Sequence, residues 1–288
     1  MTVLLLAAAS LGMAPSQCGD LSLPDTPAAP GGLVKAHPTF DSLQTSVQDL
    51  LDEAGASGGI SLIELGGGQP QSWSLNGDGK FVAASTYKLP LLMLESDQLA
   101  NGKEKATDLL CYQDGDWEDG WYADYEDGAC YARMELMRRI GEDSDNTAAH
   151  ILVRYEGGPD VLNDYAARHG AADSAFYDPN TTTSNDLVRL LSDEANGRAG
   201  GSVAQSYLYP LLTHTAFEDG IPAGVPNDTT VVHKIGTLDD EVNDVALVQS
   251  GPAGPYVLAI CTQGVSGDEG WKLLADISRT VWRYEASR

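Results

Sequence analysis

The sequence predicts an α+β fold: an antiparallel sheet drawn from both chain ends and flanked by helices, with an all-helical subdomain inserted between its strands. Three observations carry this expectation. Strand-like runs lie near residues 60–75 and again near 230–262. The stretch between them is dominated by helical spacing. A chain of 288 residues with 42% hydrophobic residues can bury one large domain or two closely packed subdomains.

The elements follow in order. Leu4–Ala14 is a short apolar run ahead of small and turn-forming residues, so residues 1–20 read as a signal-like segment, although its usual basic start is missing. It is too short to span a bilayer, and no later segment is long and apolar enough to be an integral membrane span. Export is the expectation, with the protein secreted, periplasmic or at the cell surface. Cys18 is a lipid-anchor site only on the weaker reading, because Pro15, Ser16 and Gln17 fit a lipoprotein cleavage site poorly. Three prolines between Pro24 and Pro30 mark residues 21–37 as a linker. The folded domain is expected over 38–288, with an α/β part from 38–84 and 213–288 and a mainly helical part from 85–212.

Phe40, Leu43, Val47, Leu50 and Leu51 recur at helical spacing, and Gly55 is a natural stop. Ile60–Leu65 and Trp73–Leu75 read as strands around a triple-glycine turn. A helix is predicted from Thr86 through Leu99, ended by Asn101 and Gly102. Further helices are predicted over Met134–Ile140, Ala148–Tyr155, Asp160–His169, Asp186–Ala195 and Val203–Leu212. Strands return at Thr230–Lys234, Val242–Gln249 and Tyr256–Thr262. A final amphipathic helix runs from about Glu269 to Tyr284, with Trp271, Leu274, Ile277 and Val281 on one face.

Seventeen basic residues against 42 acidic ones give a net charge of −25. Such a surface repels phosphate backbones and anionic headgroups, which argues against a nucleic-acid partner. Seven carboxylates and no basic residue lie between Asp114 and Asp127. Asp119 stands where a calcium loop needs glycine and Tyr125 where it needs a glutamate, so the segment reads as a solvated loop, not a metal site. Its aromatics Trp117, Trp121, Tyr122 and Tyr125 are read as packing residues rather than a sugar or partner surface. Cys111 and Cys130 flank this loop, and in an oxidising compartment they can close it, stabilising by roughly 3 kcal/mol. Cys261 lies in an apolar run and reads as a buried thiol. No Cys/His spacing suits zinc.

Three short motifs carry chemistry. Ser85 and Lys88 are three positions apart at a helix start, which puts them on one face. A partly desolvated lysine can shed its charge and take a serine's proton. Ser144-Asp145-Asn146 lies between two helices and reads either as an N-cap or as a pair of groups that pass protons and bind an amide. In His233-Lys234-Ile235-Gly236-Thr237, a lysine in an apolar strand is costly unless it is paired or lines a cleft. Gly236 is expected to let a substrate backbone approach.

Each motif alone is ambiguous, but their order is informative. With SDNTAA over 144–149, Gly157-Gly158-Pro159 and Thr181-Thr182-Thr183, the sequence resembles the class A β-lactamases and their penicillin-binding relatives from about Phe40 to the C-terminus. The resemblance implies that Ser85 is acylated by a β-lactam or an acyl-D-alanyl peptide. It implies that Lys88 is base or proton relay and that Ser144 and Lys234 bridge the far side of the cleft. Asn146, Gly236 and Thr237 would bind substrate, with the N–H groups of Ser85 and Thr237 as oxyanion hole. It also implies a monomer with neither metal nor organic cofactor.

Two departures alter these expectations. The family's deacylating Glu, followed after three intervening residues by an Asn, has no counterpart. Glu156 is the only Glu between Asn146 and Thr181 and lies at a helix end. Asp178 is the nearest carboxylate that could substitute, and it also reads as a turn residue. Ile235 stands where the family has a hydroxyl, and no arginine stands out as partner for the substrate carboxylate. The expectation is therefore a β-lactamase-like serine hydrolase that acylates readily and deacylates slowly. The alternatives are a penicillin-binding D,D-carboxypeptidase or endopeptidase acting on cell-wall peptides, and a non-catalytic binder of β-lactams or wall fragments.

Overall fold

The structure is a computed structural model in which residues 39–288 are described. The signal-like segment, the linker and Cys18 lie outside the described residues.

Helix α1 spans Phe40–Ala54. Thr39 and Ser42 form a reciprocal capping box at its start, and Gly55 ends it at φ 68°. Strands β1 (Ser57–Glu64) and β2 (Ser72–Leu75) pair antiparallel. From the other end of the chain come β7 (Val231–Leu238), β8 (Glu241–Val248) and β9 (Tyr256–Gln263). The sheet order is β2-β1-β9-β8-β7. Ile60 sits opposite Ile260, and Gly236 opposite Asn243. The five-stranded antiparallel sheet with its helices is the predicted α+β architecture.

Both sheet faces are covered. On one, α1 and the terminal helix α8 (Gly267–Glu285) bury Leu43, Val47, Leu274, Ile277 and Val281 against Ile60, Leu62 and Leu258. On the other, α6 (Ser184–Ala195) contributes Leu187 and Leu191 against Val245, Val257, Ala259 and Cys261. Every residue of β8 is buried, which is why its apolar pattern is nearly continuous instead of alternating. Burial leaves the Cys261 thiol with no solvent for its thiolate and pushes its pKa up to about 12.

Between the two groups of strands lie α2 (Lys88–Ala100), α3 (Arg133–Asp143), α4 (Asn146–Tyr155), α5 (Pro159–Arg168) and α7 (Gly201–Leu208). The helix predicted over Val203–Leu212 instead ends as a 3₁₀ turn at Tyr209–Leu212, because Pro210 brings no N–H to continue the ladder. Helix α2 likewise opens with a 3₁₀ turn, Ala84–Tyr87. Strand β1 starts earlier than its alternation suggests, because Gly58 and Gly59 carry no side-chain signal. Two small ribbons escaped the pattern: β3 (Phe81–Val82) with β6 (Thr181–Thr182), and β4 (Leu109–Cys111) with β5 (Cys130–Ala132). Each is too short to show a period.

In the second ribbon Cys111 faces Cys130, and a disulfide joins them. The acidic loop between them is less solvated than its composition implies. Arg154 binds Asp116 through two nitrogens, and Arg139 binds Asp124 through two. Tyr125 is buried and Tyr122 stacks on Arg139, as packing residues. Trp117 is instead 49% exposed, which corrects the packing expectation for it, and Trp121, though 65% exposed, meets the Phe217 ring edge-on at 5.9 Å.

Glu156 has a structural partner. The Arg133 guanidinium reaches Glu95 at 2.6 Å, Glu156 at 2.9 Å and Glu104 at 2.9 Å. Among the described residues, no helix is long and apolar enough to cross a membrane.

Candidate active site

The 3₁₀ turn carrying Ser85 is gripped from several sides. Ala84, just before it, is buried at φ +46°, a conformation that a Cβ makes costly and that surrounding contacts must enforce. Those contacts are visible. Ala83 N donates to Asn180 O at 2.9 Å, Asn180 Nδ2 donates to Ala84 O at 3.1 Å, and Asn243 Nδ2 donates to Val82 O at 2.9 Å. A Cβ on Gly236 would lie 2.7 Å from Ala83 O and 2.9 Å from Ser85 N. This corrects the expectation that Gly236 makes room for a substrate backbone. It makes room for the serine's own turn, which packs directly on β7.

Lys88, one turn after Ser85, is fully buried. Its Nζ lies 2.9 Å from Ser85 Oγ, 2.6 Å from Ser144 O and 3.4 Å from Ser144 Oγ, and it also donates to Asn146 Oδ1. Ser144 ends α3 in the left-handed conformation, φ 59°, which turns its side chain from the helix into the cleft. Asp145 then caps α4, accepting from Ala148 N, so the capping and cleft readings of the tripeptide hold for different residues. Lys234 Nζ donates to Ser144 Oγ at 2.9 Å and to Ile235 O at 2.9 Å. One hydrogen-bonded chain therefore runs Ser85–Lys88–Ser144–Lys234.

Two buried ammonium groups this close cannot both be comfortable. Burial lowers the Lys88 pKa from 10.5 to about 7, against the opposing pull of Asp145 and Glu118. Burial lowers Lys234 well below its usual value too, and the Lys88 charge pushes it the same way. The site can hold a neutral amine next to a serine hydroxyl, which is what general-base activation requires.

Thr237 is exposed just beyond Gly236 on β7, and Ile235 is buried. Asp178 is exposed in the turn ahead of Asn180, and the residues of that turn that touch the serine side are its neighbours. Asn180 holds the serine's turn, and the Tyr177 ring sits edge-on to Tyr87 at 5.7 Å and to His150 at 5.3 Å.

Glu118 was not legible as a site residue. It comes from the acidic loop, where neighbouring carboxylates mask it. Its Oε1 accepts from Asn146 Nδ2 at 2.8 Å, and its Oε2 lies 3.0 Å from His150 Nε2. Asn146 Nδ2 also donates to Asp119 O at 3.3 Å. Asn146 is thus engaged on both sides before any substrate arrives. Among the described residues no group of three or more His, Cys, Asp and Glu side chains is placed to hold a metal ion.

A family model for the β-lactamase enzyme family matches residues 42–284. The chain belongs to the β-lactamase enzyme family. A β-lactamase of Rhodobacter capsulatus is 26% identical over 243 residues, covering 77% of this chain and 80% of that protein. Among solved structures, PBP-A superposes with a TM-score of 0.77 at 25% identity, over 84% of this chain and 94% of that one. A penicillin G acyl-enzyme of a PBP-A variant superposes at 0.78 with 24% identity, over 86% and 97% of the two chains. As a member of the β-lactamase enzyme family, the chain is a serine hydrolase with the β-lactamase/transpeptidase-like fold predicted from its sequence.

Behind Lys234, on the other face of β7 in this β-lactamase-family chain, His233 is buried between two carboxylates. Nδ1 lies 3.1 Å from Asp244 Oδ1, and Nε2 lies 3.3 Å from Glu218 Oε1. Burial alone would lower its pKa, but Asp244 and Glu218 overcome this and raise it from 6.5 to about 9. A group with a raised folded pKa adds stability below the unfolded pKa and loses it as pH climbs through the folded one. The stability advantage of wild type over His233→Asn should therefore be full below pH 6.5. It should fall by on the order of 3 kcal/mol by pH 9. Urea unfolding of both proteins across that window checks this, and a difference independent of pH would show His233 to be neutral.

Proposed function

We propose that the protein opens β-lactams by forming an acyl-enzyme on Ser85, with slow release of the product. The observation that carries this reading is the continuous hydrogen-bonded chain from Ser85 through Lys88 and Ser144 to Lys234. In the proposed first step, neutral Lys88 takes the Ser85 proton as Oγ attacks the lactam carbonyl. The C–N bond then breaks, and the lactam nitrogen receives a proton through Ser144. Lys234, across the cleft, supplies an N–H donor for the substrate's carboxylate. Asn180 and Gly236 keep the serine's turn rigid, so little reorganisation is needed during attack.

Water must then cleave the ester. The family's usual Glu has no counterpart, Glu156 is committed to Arg133, and Asp178, in the turn that leads to Asn180, is the carboxylate that could substitute. A second reading, a penicillin-binding peptidase of cell-wall peptides, is favoured by that missing Glu and by the similarity to PBP-A. Intact-protein mass spectrometry during reaction with penicillin separates the two. An adduct that accumulates and then decays while penicillin is consumed supports the slow β-lactamase, and one that persists for hours after consumption has stopped supports the peptidase. Penicillin consumed with no accumulating adduct would overturn the slow release. Neither adduct nor consumption would overturn both. Export is part of the same proposal, supported by the signal-like start and by a disulfide suited to an oxidising compartment.

The lowered pKa of Lys88 gives a further expected outcome. If neutral Lys88 is the base, the acylation rate rises about tenfold per pH unit below 7 and levels off above it. Stopped-flow acylation between pH 5 and 9 measures this. A rate that falls with rising pH would remove Lys88 from that role.

A further inference from the structure

We infer that Glu118 is a specificity-determining residue that favours substrates whose acyl group carries a positive charge beside the amide. The inference rests on the acyl-enzyme reading of the cleft and names the substrate class it prefers.

The argument starts from Asn146. Even as a neutral amine Lys88 keeps two N–H donors, for Ser144 O and Asn146 Oδ1, so the amide oxygen faces it and the amide nitrogen points to the loop. That nitrogen has two N–H groups, and Glu118 Oε1 and Asp119 O take both. A substrate amide that binds Asn146 must therefore displace one of them. The carboxylate makes the shorter bond and is a flexible side chain, whereas Asp119 O is backbone.

The displaced carboxylate cannot go far. Glu118 N donates to Thr147 Oγ1 at 3.0 Å, and Thr147 Oγ1 donates back to Glu118 O at 2.8 Å. The loop is closed by the Cys111–Cys130 disulfide and clamped through Asp116 to Arg154 and Asp124 to Arg139. His150 stays beside the other oxygen. Those arginines occupy Asp116 and Asp124, but no lysine or arginine among the described residues makes a direct ion pair with Glu118, whose charge reaches Lys88 only at longer range, and its side chain is 50% exposed. A bound acyl amide thus lies against a fixed anion that has just lost a hydrogen bond. An ammonium on the α-carbon of the side-chain acyl group restores that bond. A neutral group does not, and a carboxylate there meets like charge.

The test compares ampicillin, benzylpenicillin and carbenicillin, whose side-chain α-carbons carry an ammonium, a hydrogen and a carboxylate. Second-order acylation rates come from intact-protein mass spectrometry of wild type, Glu118→Gln and Asp127→Asn. Gln keeps an oxygen for Asn146 and removes only the charge. Asp127 is an exposed carboxylate of the same loop, so its variant controls for net charge. The wild type should favour ampicillin over carbenicillin by about tenfold or more. The ratio should fall several-fold in Glu118→Gln and hold in Asp127→Asn. A ratio unchanged in Glu118→Gln, or lowered equally in Asp127→Asn, overturns the inference. Absence of any adduct together with no consumption of any of the three penicillins instead overturns the acyl-enzyme reading itself.

Discussion

Replacing Ser85 by alanine is expected to abolish covalent labelling by a fluorescent penicillin and to lower β-lactam turnover on the order of 10⁴-fold or more. The reason is geometric. Ser85 Oγ is the hydroxyl that Lys88 meets at 2.9 Å, at the start of a helix and on a turn held by Asn180 and Asn243. The other hydroxyl in the chain, Ser144 Oγ, already accepts from Lys234 at 2.9 Å and is placed to carry a proton, not to attack. The alanine variant should melt within a few degrees of wild type, because the turn is held by its backbone. Labelling that survived with the variant correctly folded would move the nucleophile to Ser144.

The largest effect on stability is expected from Arg133→Met. Arg133 is 3% exposed and binds three carboxylates, of which Glu95 is fully buried. Burial raises the Glu95 pKa well above its usual value, and the arginine works against that rise. Glu95 Oε1 already lacks a hydrogen-bond partner. Removing the guanidinium strands Glu95 and Glu156 together in the helical core, a loss of about 3–5 kcal/mol. Urea denaturation gives the value directly. Adding Glu95→Gln to the same chain should recover part of the loss, since an amide carries no charge to strand. If Arg133→Met alone unfolds at the wild-type urea concentration, the cluster is held by its other hydrogen bonds and the charges do not matter.

Much of the fold was written in local periodicity. The apolar face of α8 and the capped helix α1 have clear spacing, and both are long. The ribbon β3–β6 has two residues per strand, so no period exists to be read. The four polar residues of the hydrogen-bonded chain were legible because their chemistry demands Ser and Lys at fixed separations along a helix or strand. Glu118 and Asn180 were not, since each reaches the site from a loop whose path depends on tertiary contacts. Glu118 is one of seven carboxylates in its segment, and only its contacts with Thr147, Asn146 and His150 distinguish it from the others. Gly236 was picked out correctly as a place where something must come close, but a sequence cannot say whether the visitor is a ligand or the chain itself.

The sheet has a consequence for how the molecule is assembled in time. Strand β1 is made early, yet its inner partner, β9, spans Tyr256–Gln263. Until the chain has been made through β9, one edge of β1 has no neighbour, and α1 has no α8 to pack on until later still. The helical segments can compact sooner, because their contacts are closer in sequence. Ser85 is therefore made long before β7, the strand that holds Lys234 opposite it. The hydrogen-bonded chain from Ser85 to Lys234 cannot close before β7 exists, and the sheet cannot close before β9.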